Sequence, residues 1–367
     1  MFSPEFQITN KILSSLIRVE VDKSLVEIAT LQDEWESRLR LESLVKRVDS
    51  LFHFLGNSLG VDDMAKIVRD DPGRDDKASE VALRVGVVGK EKDIQQVLNF
   101  LNANKLVEQI AYLTNKFKQT EYGESDLIKL NSLMGERLVA MPVKGVYRQT
   151  DISDNDQVVA PLAVEVSFQM EDLFGWFKRA DQNEIHPVLK AGTMLFELLR
   201  ITPFASHNLE TAFSFCLMTL ASEGYHFKKL WSPEEEILKN EDVYGTTVAS
   251  VSRNKGDLTV WLERYVRWLD ESAEKTRSKV LNLVGGMPVL KSEKGRVISL
   301  TERQIAIMEE ITVRNELSIK EIRSVLPMVS DDTILRDLKN LIEKKLIKKK
   351  GKTKGALYVM GKVKSYR

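Results

Sequence analysis

The chain has 367 residues, 43% hydrophobic and 29% charged, with 54 Lys or Arg balanced by 54 Asp or Glu. That is the composition of an ordinary globular protein of two or three domains, at about 100–200 residues each. A single cysteine, Cys216, excludes an intramolecular disulfide, and one cysteine with four histidines excludes a structural Cys/His metal site.

The N-terminus lacks a basic segment followed by an apolar one, and no run approaches the roughly 20 apolar residues that span a bilayer. A cytoplasmic protein with no membrane partner is expected. The zero net charge hides an asymmetry. Residues 344–367 hold ten Lys or Arg and no acid, so the rest of the chain carries 44 basic against 54 acidic residues, a net charge of −10. A basic end on an acidic body implies an anionic partner for that end.

The first hundred residues are helical in pattern. Ile28, Leu31, Trp35 and Leu39 recur at helical spacing, and Leu44, Val48, Leu51, Phe52 and Leu55 continue it. The polar stretch Asp70 to Asp76 is an exposed loop, and Ile94, Val97, Leu98, Leu101 and Leu106 mark a further helix. Leu127, Leu130, Leu133 and Leu138 give another, ending near Met141-Pro142. The period then changes. Gly145 to Ile152 alternates, a turn follows at Asp154-Asn155-Asp156, and Val158-Val159 resumes, so one hairpin is expected.

Helices resume at Val166–Arg179 and at Pro187, which follows His186 as a helix start. Thr202-Pro203 breaks that second helix. Ala212 to Ala221 is a buried helix in which Cys216 is an inert thiol, and Trp261 to Leu269 marks the last helix of the body. Gly285 to Arg296 is a polar linker.

The break after Ile201 is followed by Thr-Pro-Phe-Ala-Ser-His-Asn-Leu-Glu-Thr-Ala-Phe, residues 202–213. This resembles the active loop of the Fic family, His-Pro-Phe-x-Asp-Gly-Asn-Gly-Arg-x-x-Arg, with the scaffold kept and the chemistry replaced. Other segments agree in order. Gly145-Val146-Tyr147-Arg148 resembles the start of the family's flap hairpin, and Met170 to Trp176 the helix that follows it. Asp257 to Glu263 resembles the closing helix, and Phe54-Leu55-Gly56-Asn57 stands where many members have Ile-Glu-Gly-Asn. The ordered set covers about residues 25–272. It implies a mainly α fold, a Fic-like helical bundle with one β-hairpin flap.

Fic enzymes transfer AMP from ATP, with Mg²⁺, to a protein hydroxyl. That needs a base, a metal-holding carboxylate, glycines at a helix N-terminus and arginines on the phosphates. Thr202 stands in the base position and Ser206 in that of the carboxylate. His207 and Leu209 replace the glycines. Glu210 and Phe213 replace the arginines, while Asn208 is retained in a capping position. His207 is expected to be solvated or to cap the helix. Leu55 replaces the glutamate that restrains the loop arginine in many members, where a Glu without that arginine would be a buried unpaired charge. The resemblance therefore implies a pseudoenzyme without metal or cofactor.

The end of the chain carries three helix starts. Thr301 with Gln304, and Ser318 with Glu321, form capping boxes. A third helix starts after Val329-Ser330, with Leu341, Ile342, Leu346 and Ile347 continuing it. A lysine-rich turn and the strand Ala356 to Met360 follow.

This unit resembles a winged helix-turn-helix domain. Its third helix enters the major groove and its wing follows the phosphates. Ser330, Thr333, Arg336 and Lys339 are then the helix contacts, and Lys349, Lys350, Lys352 and Lys354 the wing contacts. Asp331, Asp332 and Asp337 are unfavourable beside DNA, and a protein-docking winged helix is the alternative.

The expected organisation is an N-terminal helical part at 1–115, a Fic-like core at 116–285, a linker at 286–298 and a DNA-binding domain at 299–367. The expected function is transcriptional or other regulation through DNA, with the body serving a homodimer or a protein partner. The rival is a protein adenylyltransferase with an atypical loop, using ATP and Mg²⁺. A pure adaptor is a third reading.

Overall fold

The computed structural model describes residues 2–117, 122–139, 144–152, 160–182, 185–239, 241–284, 290–291, 297–298, 300–326, 329–351 and 356–361. The chain is mainly helical and divides into two compact units, Met1–Ser278 and Lys279–Arg367. No helix among the described residues is long and apolar enough to cross a membrane.

The first unit opens with α1 (Asn10–Ile28), α2 (Asp33–Phe54), α3 (Val61–Asp70), α4 (Ala78–Val85), α5 (Glu91–Phe117) and α6 (Glu124–Met134). The spacing from Ile28 to Leu39 reads as one helix, but the chain breaks at residues 29–32. Ala29 leaves the helical region (ψ 130°), and its carbonyl accepts the Lys228 ammonium from far along the chain. A tertiary bond thus ends α1.

Helix α6 also stops short of the expected Met141. Gly135 caps it, and Asn99 of α5 donates to the carbonyls of Met134 (2.8 Å) and Glu136 (2.7 Å), which a continuing helix would keep for itself. The expected loop at residues 70–76 is present. Arg84 clamps it by bonding Asp70 and Asp76.

The rest of the unit is α7 (Ala163–Gln182), α8 (Pro187–Ile201), α9 (Asn208–Ser222), a 3-10 turn (Phe227–Lys229), α10 (Pro233–Leu238), α11 (Glu241–Arg253) and α12 (Thr259–Val284). Helix α9 is the centre, apolar round most of its circumference and packed by α5, α6 and α8. Phe174, Phe177 and Phe215 stack edge to face across α7 and α9. Gly192 lets α8 and α12 touch. A Cβ there would lie 2.5 Å from the Tyr265 ring, and the Gly192 carbonyl accepts Trp261 Nε1–H at 2.9 Å. His186 caps α8 through Nδ1, as the His-Pro start implies.

In the second unit, β1 (Leu290–Lys291) pairs antiparallel with β2 (Val297–Ile298) inside the stretch that reads as linker. Then come α13 (Glu302–Arg314), β3 (Glu316–Ser318), α14 (Ile319–Val325), α15 (Asp331–Glu343), β4 (Ile347–Lys350) and β5 (Leu357–Met360). The sheet order is β3-β5-β4, antiparallel throughout, with Tyr358 opposite both Leu317 and Lys349. Ile305, Ile311, Leu317, Ile322, Ile334, Leu338, Leu341 and Tyr358 are buried beneath it.

Both capping boxes form as the sequence indicates, Thr301 with Gln304 and Ser318 with Glu321. The third helix ends at Glu343 rather than running through Ile347. Lys345 turns left-handed (φ 61°), and Ile347 opens β4.

Candidate functional site

The loop between α8 and α9 is closed on itself. Thr202 ends α8 at φ 47°, and its hydroxyl donates to the Leu199 carbonyl at 2.9 Å. The hydroxyl expected in the base position is thus spent on the helix end. Asn208 opens α9. Its amide oxygen accepts Phe204 N–H (2.9 Å) and its amide nitrogen donates to Phe204 O (2.8 Å), closing the turn from both sides.

His207 has φ 60°, a left-handed conformation at a position where glycine costs least. Its ring is neither solvated nor a cap, contrary to expectation. Nδ1 lies 3.0 Å from Glu210 Oε1, both side chains are largely buried, and α9 has no side-chain cap. The Glu210 carboxylate is turned onto that ring. Phe213 is buried in the core beside Cys216, Glu234 and Tyr265, where it lines a small cavity. Burial pushes the Cys216 thiol up to about 12, so it stays protonated as an inert core residue.

Two further residues fix the loop. Arg148 is buried, and its guanidinium donates only to carbonyls: Thr202 (2.9 Å), Thr150 (3.2 Å), Pro161 and Ile201. It has no carboxylate partner among the described residues. Its backbone N–H also bonds Pro203 O at 2.9 Å. Asn131 of α6 donates to Ser206 O (3.0 Å) and accepts Gly145 N–H (3.0 Å), joining the loop to the segment that carries Arg148. Gly145 sits at φ 68° and only 3.1 Å from the Ile128 carbonyl once a Cβ is placed, so the approach requires glycine.

Arg148 was visible in the Gly-x-Tyr-Arg motif, but its role as a carbonyl clamp was not. Asn131 carried no signal, because its helix shows only an apolar period. The expected flap does not pair with itself among the described residues. Its one β-bridge joins Tyr147 to Phe204, and Val158-Val159 lies outside them. Tyr147 Oη donates to Glu124 Oε1 at 2.6 Å, and burial, with that carboxylate, holds the phenol well above its usual pKa.

Leu55 caps the end of α2 and is 38% exposed. A glutamate there would be solvated, so the burial argument for its loss does not apply. Asn57 beside it is buried and bonds Asp93 O and Gln96. No cluster of metal-holding side chains occurs among the described residues.

These helices and this loop form a helical bundle built around a Pro-Phe…Asn turn. The model of the Fic/DOC family matches residues 121–220, and the chain thus contains a Fic/DOC-family domain. Solved structures share the fold. A Fic family protein from Desulfovibrio desulfuricans aligns over 100% of both chains with a TM-score of 0.60 and 18% identity. A Fic domain containing signaling protein from Bacteroides thetaiotaomicron covers 76% of this chain and 98% of its own, at TM-score 0.51 and 16% identity. Fic-1 from C. elegans covers 74% and 72%, at 0.53 and 16%. No curated protein sequence matches the chain.

The second unit offers a different surface. On α15, Arg336 and Lys339 are exposed, as are Lys349 and Lys350 on the edge strand β4. Lys350 lies 3.9 Å from Glu316, whereas Arg336, Lys339, Lys348 and Lys349 have no salt-bridge partner among the described residues. Lys352 and Lys354 lie outside those residues. Ser330 and Thr333 share a hydroxyl–hydroxyl bond of 2.9 Å at the start of α15.

Of the three acids weighed against DNA, Asp337 is not on this surface. It is buried and bound by Arg303 (2.7 Å) and Gln304 (3.2 Å). Asp331 is paired with Arg323. Asp332 remains on the exposed face.

Proposed function

We propose that this chain is a Fic-like protein that has lost nucleotidyl transfer and acts on DNA through its C-terminal unit, read as a winged helix. The observation that carries the proposal is the contrast in where polar groups point. Every replaced position of the loop that bears a hydroxyl, imidazole or carboxylate, apart from Ser206, is bonded within the chain. The cations of α15 and β4 face solvent.

The order α13-β3-α14-α15-β4-β5 supports the reading, since a winged helix with this order would read DNA with α15 and use β4–β5 as its wing. Removal of Asp337 from the surface supports it further. Arg336, Lys339, Ser330 and Thr333 would meet base edges or phosphate, and Lys349 and Lys350 phosphates, with Lys352 and Lys354 the further contacts expected from the sequence. The role that follows is regulatory, with the helical body receiving a protein or a second copy.

A filter-binding assay across a salt series tests this. Affinity that falls steeply with salt supports it, and binding indistinguishable from a lysine-free control protein overturns it. The adenylyltransferase reading is tested separately by calorimetry with ATP and Mg²⁺. Heat of binding that disappears in His207→Ala would restore it.

A further inference from the structure

Helix α1 is apolar on two faces. Ile12, Leu16, Val19 and Val26 are buried within the first unit. On the other side Leu13 (49% exposed), Ile17 (55%), Val21 (51%) and Ile28 (77%) face solvent. At 100° per residue these four lie within an arc of about 80° and run about 22 Å along the axis. Scattered exposed apolar residues need no explanation, but a continuous stripe does.

The stripe contains no ionisable residue. Between Leu13 and Ile28 its one polar member is Ser24, which donates its hydroxyl back to Glu20 O at 2.9 Å, so burial would not strand that hydroxyl. Three charges at its rim are answered inside the chain, Lys11 by Glu263 (3.0 Å), Arg18 by Asp270 and Glu20 by Lys23 (2.8 Å).

Such a surface is neutral toward itself and offers no net cation to a lipid headgroup or an acidic partner. Its spacing is also self-complementary. About a two-fold axis near Glu20–Val21, an antiparallel copy sets Leu13 against Ile28, Ile17 against Ser24, and Val21 beside its own twin. That is the arrangement of an isologous contact.

We propose that this face of α1 is the interface of a homodimer, with the two α1 helices antiparallel. The stripe alone is smaller than a standard stable interface, which places the association in the weak, concentration-dependent class. The proposal is independent of DNA binding by the second unit, and its test contains no DNA.

Sedimentation equilibrium of the full chain, from about 1 to about 100 µM, is expected to pass from 41.8 kDa toward twice that mass. Ile17→Glu, and separately Val21→Glu, is expected to hold it at the single-chain mass with unchanged circular dichroism. Oxidised Val21→Cys is expected to cross-link to itself. Leu13→Cys is expected to cross-link only when mixed with Ile28→Cys, because Cys216 is buried and silent.

A single-chain mass at every concentration overturns the proposal. So does a dimer that both Glu variants leave intact, or self-cross-linking of Leu13→Cys. Co-sedimentation of wild type, but not Ile17→Glu, with vesicles of anionic phospholipid would assign the stripe to a membrane surface instead.

Discussion

The α8–α9 loop and the α15–β4 face use the same kinds of side chain to opposite ends. In the loop, Arg148 is buried and gives its guanidinium N–H groups to backbone carbonyls, and Glu210 is closed onto His207. On the second unit, Arg336, Lys339, Lys348 and Lys349 stand in water without a carboxylate. A charge consumed by its own fold stabilises a shape and is withdrawn from ligands, whereas an unpaired surface cation costs the fold little and remains available to a phosphate. Residue type alone does not separate the two cases, but burial and bonding do.

The sharpest way to break this comparison is to put a cation at position 213 of α9, where the family resemblance implies an arginine. Phe213→Arg places a guanidinium in the core beside Cys216 and Tyr265. It is expected to lower unfolding stability by about 3–5 kcal/mol, read from the urea midpoint. An unchanged midpoint would mean the loop still has room for phosphate-binding arginines.

Arg148→Ala comes next. It strands the carbonyls of Thr202, Thr150 and Pro161 and is expected to cost about 2–4 kcal/mol by the same measurement, with Arg148→Lys recovering little because the planar fork is lost. At the other region, Lys339→Glu with Lys349→Glu is expected to weaken the proposed DNA binding about 100-fold, about 2.7 kcal/mol, and to flatten the salt dependence by about two phosphate contacts. The same pair is expected to leave the urea midpoint unmoved, which is what separates a surface cation from a structural one. The smallest effect is at the turn. Asn208→Ala removes both bonds to Phe204 and is expected to cost about 1–2 kcal/mol.

Local rules were legible in the sequence and tertiary ones were not. The capping boxes at Thr301 and Ser318, the His186-Pro187 start and the buried α9 follow from short-range spacing, and the structure has them. The break after Ile28 depends on Lys228, and the early end of α6 depends on Asn99, both remote in the chain. No window around Ile28 or Met134 contains those partners. At the loop, the motif singled out residues 202–213. It could not show that His207 would turn to Glu210, because that contact requires the left-handed backbone at residue 207. Asn131 was invisible for a simpler reason. It is a polar residue on a helix whose apolar period is complete without it.

Because Asn208 takes both backbone groups of Phe204, and Asn131 holds Ser206 from the side, residues 204–208 are tied into one cooperative patch with no ligand needed to order it. The Phe204 amide, bonded to Asn208 Oδ1, then takes up solvent deuterium only when that turn opens. Its deuteration rate is a clock for the opening, and added nucleotide should leave it running at the same speed.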